Sequence, residues 1–320
     1  MKLGVLTVLY QDRPLETVLD HVAGLGLEAV ELGSGGWPGD AHCRPQELLG
    51  SPERVRAFRR AVESRGLTIS ALSCHGNPLH PDQATAAEYD RVFRDTVRLA
   101  AELEVGVINL FSGCPGDSEG AKYPNWVTCA WPPDFERVLA WQWEHKVIPY
   151  WQEAGRFAEE HGVKLAFEMH PGFVVYNPAT LLRLRQAVGP VVGANYDPSH
   201  LFWQGIDPVA SLRALQGAIY HVHAKDTHLD PANIAVNGVL DTTPYADVVH
   251  RSWTFRTVGY GHDQLTWRTL VSNLRLVGYD YVLSIEHEDP LLSVEEGFRR
   301  AVSFLRDILL TEPPSAMWWA

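Results

Sequence analysis

Leu165-Ala166-Phe167-Glu168, Gly193-Ala194-Asn195-Tyr196-Asp197, Tyr220-His221-Val222-His223 and Val282-Leu283-Ser284-Ile285-Glu286 are short, mostly apolar runs, each ending in a carboxylate or an imidazole. Each has the length and composition of a buried strand, and each precedes a helix-like stretch. A charge inside a strand is costly to bury, but at the strand's C-terminal end it can face a site instead. Four such ends in succession point to one site at one face of a parallel barrel. Singly, each residue also reads as a solvated strand end or an ion-pair partner. Together, Glu168, Asp197, His223 and Glu286 read as metal ligands. Three carboxylates and one imidazole suit Mn²⁺, Mg²⁺ or Co²⁺ better than a thiolate-preferring ion.

Outward from these runs, strand and helix alternate eight times. Strands are expected at about residues 2–10, 28–33, 68–75, 106–111, 164–169, 193–197, 218–223 and 281–286. Helices are expected at about 14–25, 52–65, 83–103, 134–160, 178–188, 208–215, 267–277 and 294–310. Ser51, Asn177, Asp207, Thr266 and Ser293 stand where N-caps belong. Gly26, Gly66, Gly162 and Gly278 sit just before the next strand, as left-handed C-caps do. This is the arithmetic of an α/β fold, a single (β/α)8 TIM barrel over residues 1–311 with a tail at 312–320. The long segments 112–133 and 225–265 give enlarged βα loops after the fourth and seventh strands, on the face where barrels keep their sites. The tail ends Met317-Trp318-Trp319-Ala320, apolar enough to dock on the barrel or a neighbouring subunit.

Among the 320 residues, 46% are hydrophobic and the net charge is −12, with no Lys/Arg run. That balance argues against a nucleic-acid partner. No apolar stretch of about 18 residues exists to span a membrane. Cys43, Cys74, Cys114 and Cys129 form no CxxC pair and read as free thiols of a reducing compartment. The N-terminus reads as a strand and not a signal peptide, so a cytoplasmic location is expected.

Further polar residues crowd the same strand ends. His200, one short turn past Asp197, reads as a substrate contact, a partner to a ligand, or a helix-start packing residue. His221 and His223 share a strand face, with His221 the inner of the two. His170 shares the facing of Glu168, and His75 closes the third strand. Lys225 reads either as a grip on a substrate oxygen or as an ion-pair partner of Asp226 or Glu286. Arg256 and His262, in the long seventh loop, can reach hydroxyl or anionic groups or lie as ordinary surface residues. Trp126 and Trp131 are candidates to enclose a substrate pocket, whereas Trp141, Trp143 and Trp151 suit helix packing or an interface.

Phe167-Glu168-Met169-His170-Pro171-Gly172, Asn195-Tyr196-Asp197-Pro198-Ser199-His200, His221-Val222-His223-Ala224-Lys225-Asp226 and Ser284-Ile285-Glu286-His287-Glu288 resemble the xylose-isomerase-like TIM barrels, the sugar phosphate isomerase/epimerase superfamily. The resemblance implies one divalent metal, commonly Mn²⁺, on Glu168, Asp197, His223 and Glu286. It also implies that Glu168 and Glu286 double as the acid/base pair, as in the ketose 3-epimerase branch, and that His200 touches substrate. The implied function is a metal-dependent isomerase or epimerase that removes a proton next to the carbonyl of a sugar-like ketone. No glycine-rich phosphate loop stands out, so the small carbohydrate substrate is expected to be unphosphorylated. One departure is that Val174 and Val175 stand where the epimerase branch carries a further Glu. The alternative is a lyase of the same superfamily, an inosose dehydratase or C-glycoside-cleaving enzyme, which expels a β leaving group from the same enolate. An endonuclease IV-like repair role needs a histidine at the end of the fourth strand, where Asn109-Leu110-Phe111-Ser112 stands. Barrels of this group often pair, which leaves a homo-oligomer open.

Overall fold

The alternation of apolar strand runs and amphipathic helices closes on itself. The computed structural model describes residues 1–320. Its strands are β1 (Lys2–Leu6), β2 (Ala29–Gly33), β3 (Thr68–Ser73), β4 (Val107–Leu110), β5 (Lys164–Glu168), β6 (Val192–Tyr196), β7 (Ile219–Ala224), β8 (Asp226–Leu229), β9 (Trp253–Arg256) and β10 (Val282–Ile285). All but β8 and β9 form a closed barrel in the order β1-β10-β7-β6-β5-β4-β3-β2, with parallel pairing such as Gly4 opposite Ser284 where the last strand meets the first. Helices cover the outside and bury their apolar faces on the strands, as Trp151, Trp267 and Phe298 show by being fully enclosed. Trp151 lies edge-on to Phe167 at 4.6 Å and donates its indole N–H to the Ser112 carbonyl at 2.9 Å, tying a helix to a strand-end loop. The capping glycines Gly26, Gly66, Gly162 and Gly278 all have positive φ.

Several expected boundaries shift for local reasons. The first strand stops at Leu6 and continues as a 3₁₀ turn, Thr7–Tyr10, which turns Thr7 and Tyr10 inward. The helix Gln264–Leu276 starts earlier than expected. Asp263 caps it by accepting from the Thr266 N–H at 2.8 Å, so Thr266 lies inside the helix. Ser51 makes no side-chain capping bond. Asn177, by contrast, forms a full capping box with Thr180. The helical stretch expected at 134–160 carries a π turn at Gln142–Val147 between helices Pro133–Trp141 and Ile148–Glu160. Pro149 lacks an N–H for the carbonyl one turn earlier, which loosens the ladder there. The wider turn buries Gln142, whose side-chain amide donates to the carbonyls of Pro115, Gly116 and Asn125 and so anchors the loop after β4.

The excursion between β7 and Gln264 holds a β8–β9 antiparallel pair and a short helix, Pro231–Asn237. One buried carboxylate fastens it. Asp226 Oδ2 accepts from the backbone N–H groups of Gly259 (3.0 Å), Gly261 (3.1 Å) and His262 (2.9 Å) and from the Trp267 indole (3.0 Å). Its Oδ1 accepts from Thr227 N–H (2.8 Å) and His262 Nδ1 (2.7 Å). Residues beyond the last helix, Val294–Arg306, form no helix or strand, and Trp318 is 87% exposed. No helix is long and apolar enough to cross a membrane. Asp226→Asn puts an amide where these donors converge; it is expected to cost about 3 kcal/mol in urea unfolding and to open residues 230–262 to limited proteolysis.

Candidate metal and substrate site

The four strand ends singled out in the sequence converge. One donor atom each from Glu168, Asp197, His223 and Glu286 lies within 4.8 Å of the others. His223 Nδ1 stands 3.3 Å from Glu168 Oε2 and 3.0 Å from Glu286 Oε2. Yet His223 Nδ1, Asp197 Oδ2 and Glu286 Oε2 are buried without a hydrogen-bond partner. Lys225 Nζ lies at ion-pair distance from Asp197 Oδ2 (3.1 Å) and Glu286 Oε2 (2.7 Å), close in space but without hydrogen-bond alignment. Lone pairs aimed at one another across 3 Å repel unless a proton or cation lies between them. These orphaned oxygens and nitrogen, with a fourth carboxylate beside them, fit a divalent ion.

The surroundings fix these donors. Glu168 accepts from His75 Nε2 (3.1 Å), His200 Nε2 (2.9 Å) and Asn195 Nδ2 (3.0 Å). Burial would raise its pKa, but the hydrogen bonds from His200 and His75, with the His223 ring close by, hold it well below the usual carboxylate range. Burial pulls the His200 imidazole down, and the Asp197 charge overrides it, leaving a value of about 9. Burial likewise opposes the charge on Lys225, but Asp197, Glu286 and Glu288 keep its ammonium well above its ordinary pKa. The Phe255 ring covers that ammonium at 4.7 Å.

Above the donors opens a cavity of about 380 Å³. Its polar lining is His75, Glu168, His170, Lys225, Glu286 and Glu288. Its apolar wall includes Trp37, Phe111 and Phe173; Phe111 and Phe173 stack at 4.3 Å and Trp37 lies 5.6 Å from Phe173. His170 Nδ1–H donates to the Pro171 carbonyl at 2.7 Å, which leaves its Nε2 lone pair free.

Other expected contacts lie elsewhere. Arg256 Nε donates to Asp289 at 3.1 Å and does not line the cavity. His262 stacks on Phe202 at 3.8 Å and serves the Asp226 cluster. Trp126 packs against the buried group Trp203, Trp253 and Phe255, and Trp131 is 75% exposed. The aromatic wall is drawn instead from Trp37, Phe111 and Phe173, in the loops after β2, β4 and β5. Trp143 and Trp151 are core residues. His221 lies beneath His223, its ring pushed by burial to a pKa of about 4. Glu31 on β2 was not anticipated. It is fully buried and bonds His223 Nε2 at 3.0 Å. Ala29-Val30-Glu31-Leu32-Gly33 carries the same sign as the other runs, a carboxylate in an apolar strand.

Residues 19–308 match the model of the xylose isomerase-like TIM barrel family. The chain belongs to that family. It is 40% identical over 312 residues to the uncharacterized protein YfiH of Bacillus subtilis (strain 168), covering 97% of this chain and 99% of YfiH. It is 30% identical over 107 residues to an inosose dehydratase of Geobacillus kaustophilus, about a third of each chain (33% and 34%). Among solved structures, IolI protein with a bound zinc atom superposes with a TM-score of 0.66 at 19% identity, covering 97% of this chain and 98% of IolI. L-ribulose 3-epimerase superposes with a TM-score of 0.63 at 15% identity, covering 96% of this chain and 94% of that one. At such identities the superpositions speak for the fold. Of these four, the inosose dehydratase and the L-ribulose 3-epimerase are enzymes by name.

Titration of the metal-stripped protein with Mn²⁺ is expected to show one site per chain. An excess of about 100 times the Kd should add about 2.7 kcal/mol to unfolding stability. Asp197→Asn should weaken binding roughly 100-fold or more, read by calorimetry.

Proposed function

We propose that the protein is a divalent-metal-dependent enzyme that removes the proton next to the carbonyl of an uncharged sugar or cyclitol ketone and expels the β-hydroxyl as water. The observation that carries this reading is the set of unpartnered, converging donors of Glu168, Asp197, His223 and Glu286 at the floor of the cavity. Glu168, Asp197, His223 and Glu286 would hold the ion, and Mn²⁺ fits three oxygens and one nitrogen. When bound, such an ion polarises a carbonyl and lowers the pKa of the neighbouring C–H.

The chain's own groups divide the remaining work. Glu168 has its oxygens occupied by three donors and makes a poor proton acceptor. His170, with Nδ1–H committed to Pro171, has Nε2 available to take the C–H proton. Burial and the nearby His200 hold its imidazole well below the usual histidine range, so it serves as base only toward a C–H that the bound ion would acidify. Lys225, held by Glu288 at 3.1 Å, offers an ammonium proton to a departing hydroxyl. Trp37, Phe111 and Phe173 give the C–H face of a ring a surface to stack on and exclude water. With the ion bound, Glu168, Glu286 and Glu288 offset its charge and that of Lys225, which leaves no surplus positive charge to hold a phosphate. The kinship with an inosose dehydratase supports the same outcome.

Epimerisation is the second reading, because Glu168 and Glu286 both reach the cavity as a carboxylate pair. Against it, Val174 and Val175 are buried and bring no carboxylate to the loop after β5.

Incubation of the Mn²⁺-loaded protein with inososes and keto-hexoses in D₂O separates these outcomes. Loss of one water mass is expected; a deuterium-labelled product of inverted configuration, with no loss of water, would instead establish the epimerase. No exchange and no mass change with any ketone would sink both. Trp37→Ala is expected to raise KM about 10-fold, the loss of one stacking contact of about 1.4 kcal/mol, with kcat nearly unchanged. His170→Gln is expected to lower kcat by a factor on the order of 10² to 10⁴ while the Mn²⁺ affinity holds.

A further inference from the structure

We propose that Glu31 is a positioning residue of the metal site, which holds His223 in its Nε2–H tautomer and aims the Nδ1 lone pair at the ion. The inference rests on the metal reading above and concerns how that site is built.

Glu31 enters the barrel interior from β2, on the far side of β1 and β10 from His223 on β7. His223 Nε2 lies 3.0 Å from both Glu31 oxygens. An ionised carboxylate only accepts, so this nitrogen carries the proton. Asn195 Nδ2, 3.2 Å from the same nitrogen, donates to Glu168 Oε2 at 3.0 Å. Nδ1 therefore keeps its lone pair, and it is the atom that faces Glu168 and Glu286.

The remaining lone pairs of Glu31 are occupied. Oε1 accepts from the Ser73 hydroxyl and from Asn109 Nδ2 at 2.8 Å, and Oε2 accepts from the Ser284 hydroxyl at 2.6 Å. Glu31, His221 and His223 also lie close enough to suggest a second ion. With three donors besides His223 on Glu31, that cluster is a hydrogen-bond sink instead. A carboxylate behind a metal-bound imidazole fixes its tautomer and raises its basicity, and such partners typically contribute 10- to 100-fold to metal affinity.

The test compares Glu31→Gln with Ser284→Ala by Mn²⁺ calorimetry. The first exchange keeps the side chain's shape but brings an amide into a ring of donors. The second removes another donor to Glu31 and leaves the His223 bond. Glu31→Gln is expected to weaken Mn²⁺ about 10- to 100-fold, and Ser284→Ala by less than about 3-fold. Equal losses in both variants would mean a general packing role and overturn the proposal, as would parent-like affinity in Glu31→Gln. Should Glu31→Gln fail to fold, the parent protein decides. With ¹⁵N-labelled histidine and Zn²⁺ bound, His223 is expected to keep a slowly exchanging Nε2–H and to show a metal-shifted Nδ1. The opposite assignment overturns the proposal. A parent that binds neither Mn²⁺ nor Zn²⁺ removes the metal reading itself, an outcome distinct from a parent that binds and a variant that binds equally well.

Discussion

Carboxylates crowded into the mouth of a barrel repel one another, and the architecture around Glu31, Glu168, Asp197, Glu286 and Glu288 answers that repulsion. At an effective dielectric of about 20, two like charges 4 Å apart cost about 4 kcal/mol. The cluster persists because positive or donating groups interleave with it: Lys225 between Asp197 and Glu286, His200 between Asp197 and Glu168, His223 between Glu31 and Glu286. Amides and hydroxyls of Asn109, Asn195, Ser73 and Ser284 fill the next positions. A barrel interior is normally packed with branched apolar side chains. Here its upper layer is polar, and each member is held from a different strand. Loss of one member therefore leaves a charge uncompensated in a dry setting, which is dearer than the bond removed.

That layer explains what could be read from sequence. Strands five to eight of the barrel end in ligand-type residues, and a strand end is visible in a linear pattern, so Glu168, Asp197, His223 and Glu286 could be picked out together. Glu31 lies within its strand and not at its end, so the pattern that marks the other four passes it by. Its partner, His223, lies 192 residues away on a strand that only the closed barrel brings to it. Asn109 and Ser284 are likewise ordinary strand residues until their partners arrive from distant strands.

The long loops were harder for another reason. Tryptophans within the loop after β4 are near one another in sequence, and that clustering reads as a pocket wall at Trp126 and Trp131. Gln142 in the π turn ties that loop down at Pro115, Gly116 and Asn125, and the wall is made by Trp37, Phe111 and Phe173 from three separate loops. Proximity along the chain carries little information about which aromatic faces a barrel's mouth. The β8–β9 pair escaped because its halves are separated by the helix Pro231–Asn237 and further loop. Arg256 then finds Asp289 in the next loop and is spent on fastening one rim segment to another.

Asp226 has a consequence for how the rim behaves when a ligand arrives. Backbone amides of Gly259, Gly261 and His262 belong to no helix or strand, yet they share one buried anion. In solvent exchange such amides resemble those of a sheet, since release requires the carboxylate to lose its partners together. The residue next to that anchor is Lys225, so the ammonium at the cavity floor inherits the rigidity of its neighbour. A rim already ordered has little conformational freedom left to surrender on binding, and the interaction energy of an incoming ring goes into affinity rather than into folding a loop.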